Sequence, residues 1–342
     1  MIHPPPTVTA DSVTFRLPDR PRTFAHARLL PALTLPEGTG LDLTHTDGAW
    51  RLTLARPPVA RMEYRFQVRH TTGDLEEICD PGNPLRAPGV FGDKSVVEFP
   101  GYAPPRWLTA PRAGGRRLEV TERVSVWSPA DPAEPLPLLV AHDGPEYDRL
   151  AGLTVFAAAL VDAGRLPPHR IALLAADHRD DEYSANPAHA AALHDTVLPA
   201  IRAAVAVRGP VVGMGASLGG LAALHAQRTR PGLFGGLFLQ SASFLTRALD
   251  PQEQRFGRFD RVDAFVARVR ATRPRATVPV VMTCGTAEEN LANNRAMAAV
   301  LRAKGYPVRL VEVPDAHNHV GWRDAFDPTL ADLLREVWTV GG

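Results

Sequence analysis

Cysteine is scarce in this chain: there are two, Cys79 and Cys284, far apart in sequence. No C-x-x-C and no metal-ligand spacing involves them, which excludes a disulfide-stapled scaffold and a cysteine-built metal site and fits a reducing compartment. Cys284 follows the apolar run from Val278 and reads as a small buried hydrophobe at a strand end. Excess charge of either sign is also missing, with 38 basic against 37 acidic residues, so neither nucleic acid nor an anionic membrane is expected as a partner. No apolar stretch free of charge reaches the roughly 18 residues that a membrane span needs. The opening Met1-Ile2-His3-Pro4-Pro5-Pro6 has no basic-then-apolar leader, and the expectation is a soluble, cytoplasmic protein. No internal repeat and no low-complexity tract interrupts the chain.

What is present is ample material for cores. The 342 residues are 45% hydrophobic, a length that suggests two domains. From Thr7 to about Phe99 short alternating runs recur between turn residues: Val13-Thr-Phe-Arg-Leu, Trp50-Arg-Leu-Thr-Leu, Met62-Glu-Tyr-Arg-Phe-Gln-Val and Ser95-Val-Val-Glu-Phe. This alternation predicts a small antiparallel β-sandwich over residues 1–100. Pro100-Gly-Tyr-Ala-Pro-Pro-Arg-Trp107 and Gly114-Gly115 mark a linker over 101–116. Within 117–342 the pattern changes. Arg123-Val-Ser-Val-Trp127 reads as an alternating edge strand, and continuous apolar strands then alternate with helical stretches. Strands that are hydrophobic throughout demand helices on both faces, so the prediction is an α/β fold with a mostly parallel sheet.

One stretch carries chemistry. In Pro210-Val-Val-Gly-Met-Gly-Ala-Ser217-Leu-Gly-Gly220 an apolar strand runs into a glycine-rich turn and then an alanine-rich helix. Gly215-Ala-Ser217-Leu-Gly219 matches G-x-S-x-G, the nucleophile elbow of α/β-hydrolases, in which the serine hydroxyl projects above the sheet. The Leu218 N–H, at the opening of the helix, is placed to hold a developing oxyanion. In this fold an acid and then a histidine follow the serine on loops after later strands. Glu288, with Glu289 in reserve, follows the strand ending at Cys284, while His317 and His319 both follow the strand ending at Val313. The second oxyanion donor belongs to His142-Asp143-Gly144-Pro145-Glu146-Tyr147; Pro145 lacks an N–H, which leaves Gly144, Glu146 or a later residue. No metal or organic cofactor is expected. His317-Asn318-His319 has no third ligand at suitable spacing.

With these residues in view, the chain resembles the enterochelin (ferric enterobactin) esterase family within the esterase-D-like α/β-hydrolases, over nearly its whole length. Met62-Glu-Tyr-Arg-Phe, Asp80-Pro-Gly-Asn-Pro84 and Lys94-Ser-Val-Val-Glu-Phe-Pro-Gly-Tyr102 resemble that family's immunoglobulin-like N-terminal domain, itself similar to early-set carbohydrate-binding modules. His142-Asp-Gly144, Arg179-Asp-Asp-Glu182-Tyr183, the elbow and Phe238-Leu-Gln-Ser241-Ala-Ser243 resemble further family stretches. The family's G-x-x-E acid maps onto Gly285-Thr-Ala-Glu288, followed by Asn294-Arg295, and its histidine maps onto His317 because Trp322-Arg323 then fall in register. Two departures stand out: Asp315-Ala316 replace two glycines before the histidine, and Pro145 follows Asp143-Gly144.

The resemblance implies a serine esterase with a Ser217–Glu288–His317 triad, acting on a ferric catecholate trilactone and releasing iron. For an anionic substrate of that kind Arg179 and Arg323 are the candidate cations, with Trp322 and Tyr147 for stacking. The competing expectations are a general carboxylesterase or acyltransferase of the same group and, from another class, a carbohydrate-binding protein with an inert hydrolase half. In the last case Trp50, Trp107 and Trp127 would form a sugar platform.

Overall fold

A computed structural model describes residues 4–112 and 114–339. Met1–His3 of the opening stretch and Ala113 of the expected linker lie outside the described residues. The chain divides into two compact units. The first comprises the residues up to Ala103 with two short later stretches, Thr286–Glu288 and Pro314–Asn318, and the second comprises the rest.

Among its described residues the first unit holds nine strands: β1 Thr7–Val8, β2 Ser12–Pro18, β3 Phe24–Pro31, β4 Thr44–Thr46, β5 Ala49–Ala55, β6 Arg61–His70, β7 Leu75–Ile78, β8 Arg86–Ala87 and β9 Lys94–Glu98. They form two antiparallel sheets, ordered β1-β2-β5-β4 and β3-β6-β9-β8, with β7 paired to β6. Alternation does what the sequence predicts, since Val13, Phe15 and Leu17 of β2 and Tyr64, Phe66 and Val68 of β6 are all buried. The Phe15 ring meets Tyr64 edge-on at 4.8 Å and Phe66 at 6.4 Å. Trp50 is 6% exposed in the same cluster, and its indole N–H donates to Asp19.

The second unit is built on an eight-stranded sheet: β10 Arg116–Thr121, β11 Val124–Ser128, β12 Leu136–His142, β13 Arg170–Leu174, β14 Val207–Ala216, β15 Gly236–Gln240, β16 Val280–Gly285 and β17 Val308–Val313. The order is β10-β11-β13-β12-β14-β15-β16-β17, antiparallel up to β13 and parallel beyond. Its helices are α1 Gly144–Ala151, α2 Leu153–Asp162, α3 Arg179–Tyr183, α4 Pro187–Ala192, α5 Leu198–Ala204, α6 Leu218–Thr229, α7 Phe259–Ala271, α8 Leu291–Ala303, α9 His319–Asp324 and α10 Ala331–Thr339. Successive residues of β12 feed opposite cores. Leu138 and Val140 join the cluster around Leu221 and Phe234, whereas Leu139 and Ala141 join the one around Phe156 and Phe326. Both faces are thus covered, which accounts for the unbroken apolar strands. Among the described residues no helix is long and apolar enough to cross a membrane.

Three expectations need correcting. The edge strand is β10, not the Arg123–Trp127 run: β11 lies between β10 and β13, and all five of its residues are buried. The stretch read as a linker is packed in part, because burying the Trp107 indole against Phe156 (5.5 Å) and Phe326 (6.2 Å) removes a large apolar surface from water. The loop expected after β12 is a single turn residue, Asp143, followed directly by α1.

Candidate functional site

The elbow forms because glycine is the only residue that fits three of its positions. A Cβ on Gly215 would lie 2.3 Å from the Gly219 carbonyl carbon, one on Gly220 would lie 2.8 Å from Ala242 Cβ, and one on Gly213 would lie 2.8 Å from the Phe234 ring. Strand β14 and helix α6 pass at backbone contact, and the turn between them forces Ser217 to φ 55, ψ −126, a conformation that L side chains rarely adopt. Such strain costs about 1–3 kcal/mol and persists only when its surroundings over-determine it. Here Ser217 N–H donates to Gln240 O (2.9 Å), and Ser217 O accepts from the N–H of Gly220 (3.1 Å), Leu221 (3.2 Å) and Ser243 (3.0 Å). Leu218 N–H, at the first position of α6, has no intrahelical acceptor. Gly215→Ala is expected to push the strand and helix apart and destabilise the protein by about 1–3 kcal/mol. An unchanged urea midpoint would show that the elbow tolerates a methyl there.

Next to this turn stands a second one. A Cβ on Gly219 would lie 3.2 Å from His142 Cβ and 3.4 Å from Asp143 Oδ2, so the end of β12 borders the start of α6. Asp143 is itself left-handed at φ 52, ψ 38. Arg179 holds its carboxylate in a fork, Nε to Oδ1 at 2.9 Å and Nη2 to Oδ2 at 2.8 Å, and its N–H donates to Tyr183 Oη at 3.2 Å. Arg179 pairs with Asp143 and not with Glu182, which instead accepts from Arg123 and from the N–H groups of Asp177 and His178. Gly144 must be glycine, since a Cβ there would lie 2.3 Å from Leu173 Cα. Pro145 sits in the first turn of α1, where its missing N–H removes no helical bond. The departure at Pro145 therefore leaves Gly144 N–H and Glu146 N–H as donors at a helix start.

Behind the elbow, polar side chains are knitted together in the interior. Tyr147 Oη donates to Gln240 Oε1 (3.0 Å), and Gln240 Nε2 donates to Thr283 Oγ1 (3.0 Å) and to Trp322 O (3.0 Å). Trp322 Nε1 donates to Ser241 Oγ at 2.9 Å. Tyr147 and Trp322, the candidates for stacking, are 1% and 8% exposed, with their polar tips tied to buried partners. Their rings are too large and apolar to leave in water once the polar tip finds a buried partner. Arg179 keeps 39% of its side chain exposed and lines an open depression of about 610 Å³ with His178, Asp180, Asp181 and Arg258. Arg323 Nε donates to Asp324 Oδ1 at 2.7 Å.

In the first unit, His317 Nδ1 lies 3.2 Å from Glu288 Oε2, and the carboxylate side chain is fully buried. The stretches carrying them are fastened by the sandwich: Thr34 N–H to Ala287 O (2.9 Å), Ala287 N–H to Asp315 O (3.1 Å) and Ala60 N–H to Pro314 O (2.6 Å). Arg61, 3% exposed on β6, donates to Asn318 Oδ1 (3.1 Å) and Glu63 Oε1 (3.1 Å) and meets Asp315 Oδ2 at 3.5 Å. Burial opposes its charge, but Glu63 and Asp315 outweigh this and hold the guanidinium above its usual value. Burial pushes the Asp315 carboxyl up, against Arg61, the Asn318 amide and the Ala316 N–H. Asp315, in the departure before the histidine, is thus one half of an ion pair with Arg61, which also holds Asn318 on the other side of His317 in the chain. Sequence reasoning did not find Arg61, because nothing in β6 announces a partner some 250 residues away.

Of the other candidates, Glu289 belongs to the second unit, and His319 opens α9 with its ring 4.8 Å from that of Trp322. The tryptophans of the sugar-platform alternative are core residues: Trp50, Trp107 and Trp127 are between 4% and 6% exposed.

Four interior histidines share a pH consequence. Burial pushes His142, His169 and His225 down to about 4 and His189 to about 3. Arg179 adds to the effect at His142; at His189, His142 and Arg123 add to it and Glu182 opposes it; at His225, Arg268, His189 and Arg261 add to it. His169 lies against Trp338 and Pro167 O. The unfolded chain binds these protons near pH 6.5 and the folded chain does not, so their stabilisation is full above that pH and is lost as pH falls toward 4. Melting temperature should drop steeply between pH 6.5 and 4.5, and His169→Gln should flatten the slope. An equally steep slope in that variant would contradict the assignment.

An elbow serine on a mostly parallel sheet covered on both faces defines an α/β-hydrolase. Residues 116–333 match the model of the family described as "Putative esterase", more than half of the chain, and the chain belongs to that esterase family. It is a carboxylic ester hydrolase. No curated protein matches it in sequence. Among solved structures it is similar to the enterobactin esterase FES from Shigella flexneri in the presence of enterobactin, at 22% identity and TM-score 0.76, covering 100% of this chain and 97% of that one. It is also similar to the ferric enterobactin esterase (fes) from Salmonella typhimurium, at 21% identity and TM-score 0.75, over 95% and 93% of the two chains. A ferulic acid esterase covers 62% of this chain at 16% identity and TM-score 0.50, with 91% of its own length included. At these identities the likeness establishes the fold.

Proposed function

We propose that Ser217 attacks the ester carbonyl, that His317 takes its proton, and that Glu288 orients and steadies the imidazolium. The N–H groups of Leu218 and Gly144 receive the oxyanion. The carbonyl carbon becomes bonded to Ser217 Oγ, the alcohol departs with the proton from His317, and water then releases the acid with His317 as base. What supports this reading is, in one unit, a strained elbow serine at a helix start and, in the other, a His317 Nδ1–Glu288 Oε2 approach of 3.2 Å of the kind a general base needs.

For the substrate we infer an ester of a ferric catecholate siderophore of the enterobactin kind, with the iron carried as cargo. The support is the likeness to enterobactin esterases over the full chain, together with Arg179 beside an open depression. Arg323 is the second candidate cation. The test is a mass-spectrometric screen of purified protein against ferric trilactones, feruloyl esters and acylated sugars. Cleavage of the trilactone at least tenfold faster than the others supports the reading. Preferred cleavage of feruloyl esters would move the protein to the general carboxylesterase class.

A further inference from the structure

We propose that Ser243 is a second hydroxyl of the reacting centre, donating its O–H to Ser217 Oγ so that the proton of Ser217 is left for the base. The inference rests on the reading of Ser217 as nucleophile. The two oxygens lie 3.1 Å apart, and among the described residues this is the one hydrogen bond of the Ser243 side chain. Ser243 is 5% exposed, so its hydroxyl has little access to bulk water.

The same residue grips the nucleophile twice, since Ser243 N–H also donates to Ser217 O at 3.0 Å. The segment that presents it is held with unusual care. Ser241 takes a left-handed φ of 46, and its N–H donates to Thr283 O at 2.7 Å. Asn294, fully buried on α8, accepts from Ala242 N–H (3.2 Å) and donates to Ala242 O (2.8 Å), so one amide makes both bonds that a neighbouring strand would make. Asn290 donates to Ser241 O at 3.0 Å, and Asn293 ties Asn290 Oδ1 (3.0 Å) to Asp250 Oδ1 (2.9 Å). Asn290 and Asn294 therefore brace Ser241 and Ala242, with Asn293 and Asp250 backing Asn290. Burying that many polar groups is costly unless each is satisfied, and here the bonds hold Ser241 and Ala242, the two residues that lead into Ser243.

The electron count assigns the role. In the attack the Ser217 O–H bond breaks, its proton passes to the His317 imidazole, and one Oγ lone pair forms the bond to the carbonyl carbon. The carbonyl π pair moves onto the oxygen held by the amides. The remaining Oγ lone pair is the one that Ser243 bonds, and the Ser243 proton stays on Ser243 throughout. The bond fixes the Ser217 rotamer so that its own hydrogen is directed away from Ser243.

Ser243→Ala removes the hydroxyl and leaves the main-chain grip. It is expected to lower kcat on a chromogenic short-chain ester about tenfold with KM within twofold, and to slow fluorophosphonate labelling by the same factor, at an unchanged melting temperature. Ser243→Thr, which restores a hydroxyl, should recover most of the loss. Ser217→Ala runs in parallel: if it still turns over ester, the nucleophile assignment itself fails. If it is inert while Ser243→Ala keeps kcat and labelling within twofold of the parent or above it, this inference alone is overturned. A fall in kcat that Thr fails to restore, or that comes with a lowered melting temperature, also overturns it in favour of packing.

Discussion

Ser217→Ala should lower kcat/KM for ester hydrolysis by about 10⁴-fold or more and abolish labelling by a fluorophosphonate, while leaving the fold intact. The size follows from the chemistry. In the proposed mechanism no acyl-enzyme forms without the hydroxyl, and what is left is the catalysis that the amides proposed as oxyanion donors, Leu218 and Gly144, would give to direct attack by water. The fold survives because alanine keeps the Cβ and the three backbone bonds that Ser217 O accepts. It loses only the side-chain bond to Ser243. Stopped or progress-curve assays on a chromogenic ester, with circular dichroism as the control on folding, check this directly. Retained turnover would remove Ser217 from its role.

Glu288→Gln should cost about 10²–10⁴-fold in kcat with little change in KM. His317 Nδ1 faces Glu288 Oε2 at 3.2 Å, and in the proposed mechanism the carboxylate accepts the Nδ1 proton and leaves Nε2 bare to act as base. A carboxamide can turn its NH₂ toward Nδ1, which drives the imidazole proton to Nε2 and presents the wrong tautomer. The two side chains have nearly the same volume, so the buried site stays filled. Glu289→Gln serves as the comparison and should leave kcat within twofold. If Glu288→Gln also stays within twofold, the acid lies elsewhere.

Much of the architecture was legible because periodicity reports burial. The two-residue alternation of β2 and β6 and the unbroken apolar strands from β12 to β16 state which faces are covered. The elbow was legible because its glycines answer to a local demand: strand and helix cannot approach to 2.3 Å of a would-be Cβ otherwise. Pairings across long sequence separations were not legible. Arg61 reads in β6 as one more alternating residue, and only the fold reveals its partners Asp315 and Asn318. Tyr147 and Trp322 were legible only as aromatics with a polar tip, compatible with a substrate platform or with a brace, and the fold alone reveals their buried partners Gln240 and Ser241. Ser243 and Asn294 lay inside stretches that invited notice by resemblance alone, because a serine or an asparagine has no sequence signal for what it will touch.

If Ser217 is the nucleophile, its Oγ carries the acyl group during turnover. The most direct measurement is peptide mapping by mass spectrometry of the protein quenched during hydrolysis of a slowly deacylating ester. A single acyl adduct is expected on the peptide containing Gly215–Gly220, assigned by fragmentation to Ser217 and absent from the Ser217→Ala protein. An adduct on another residue, or full turnover with no adduct on that peptide, would contradict it.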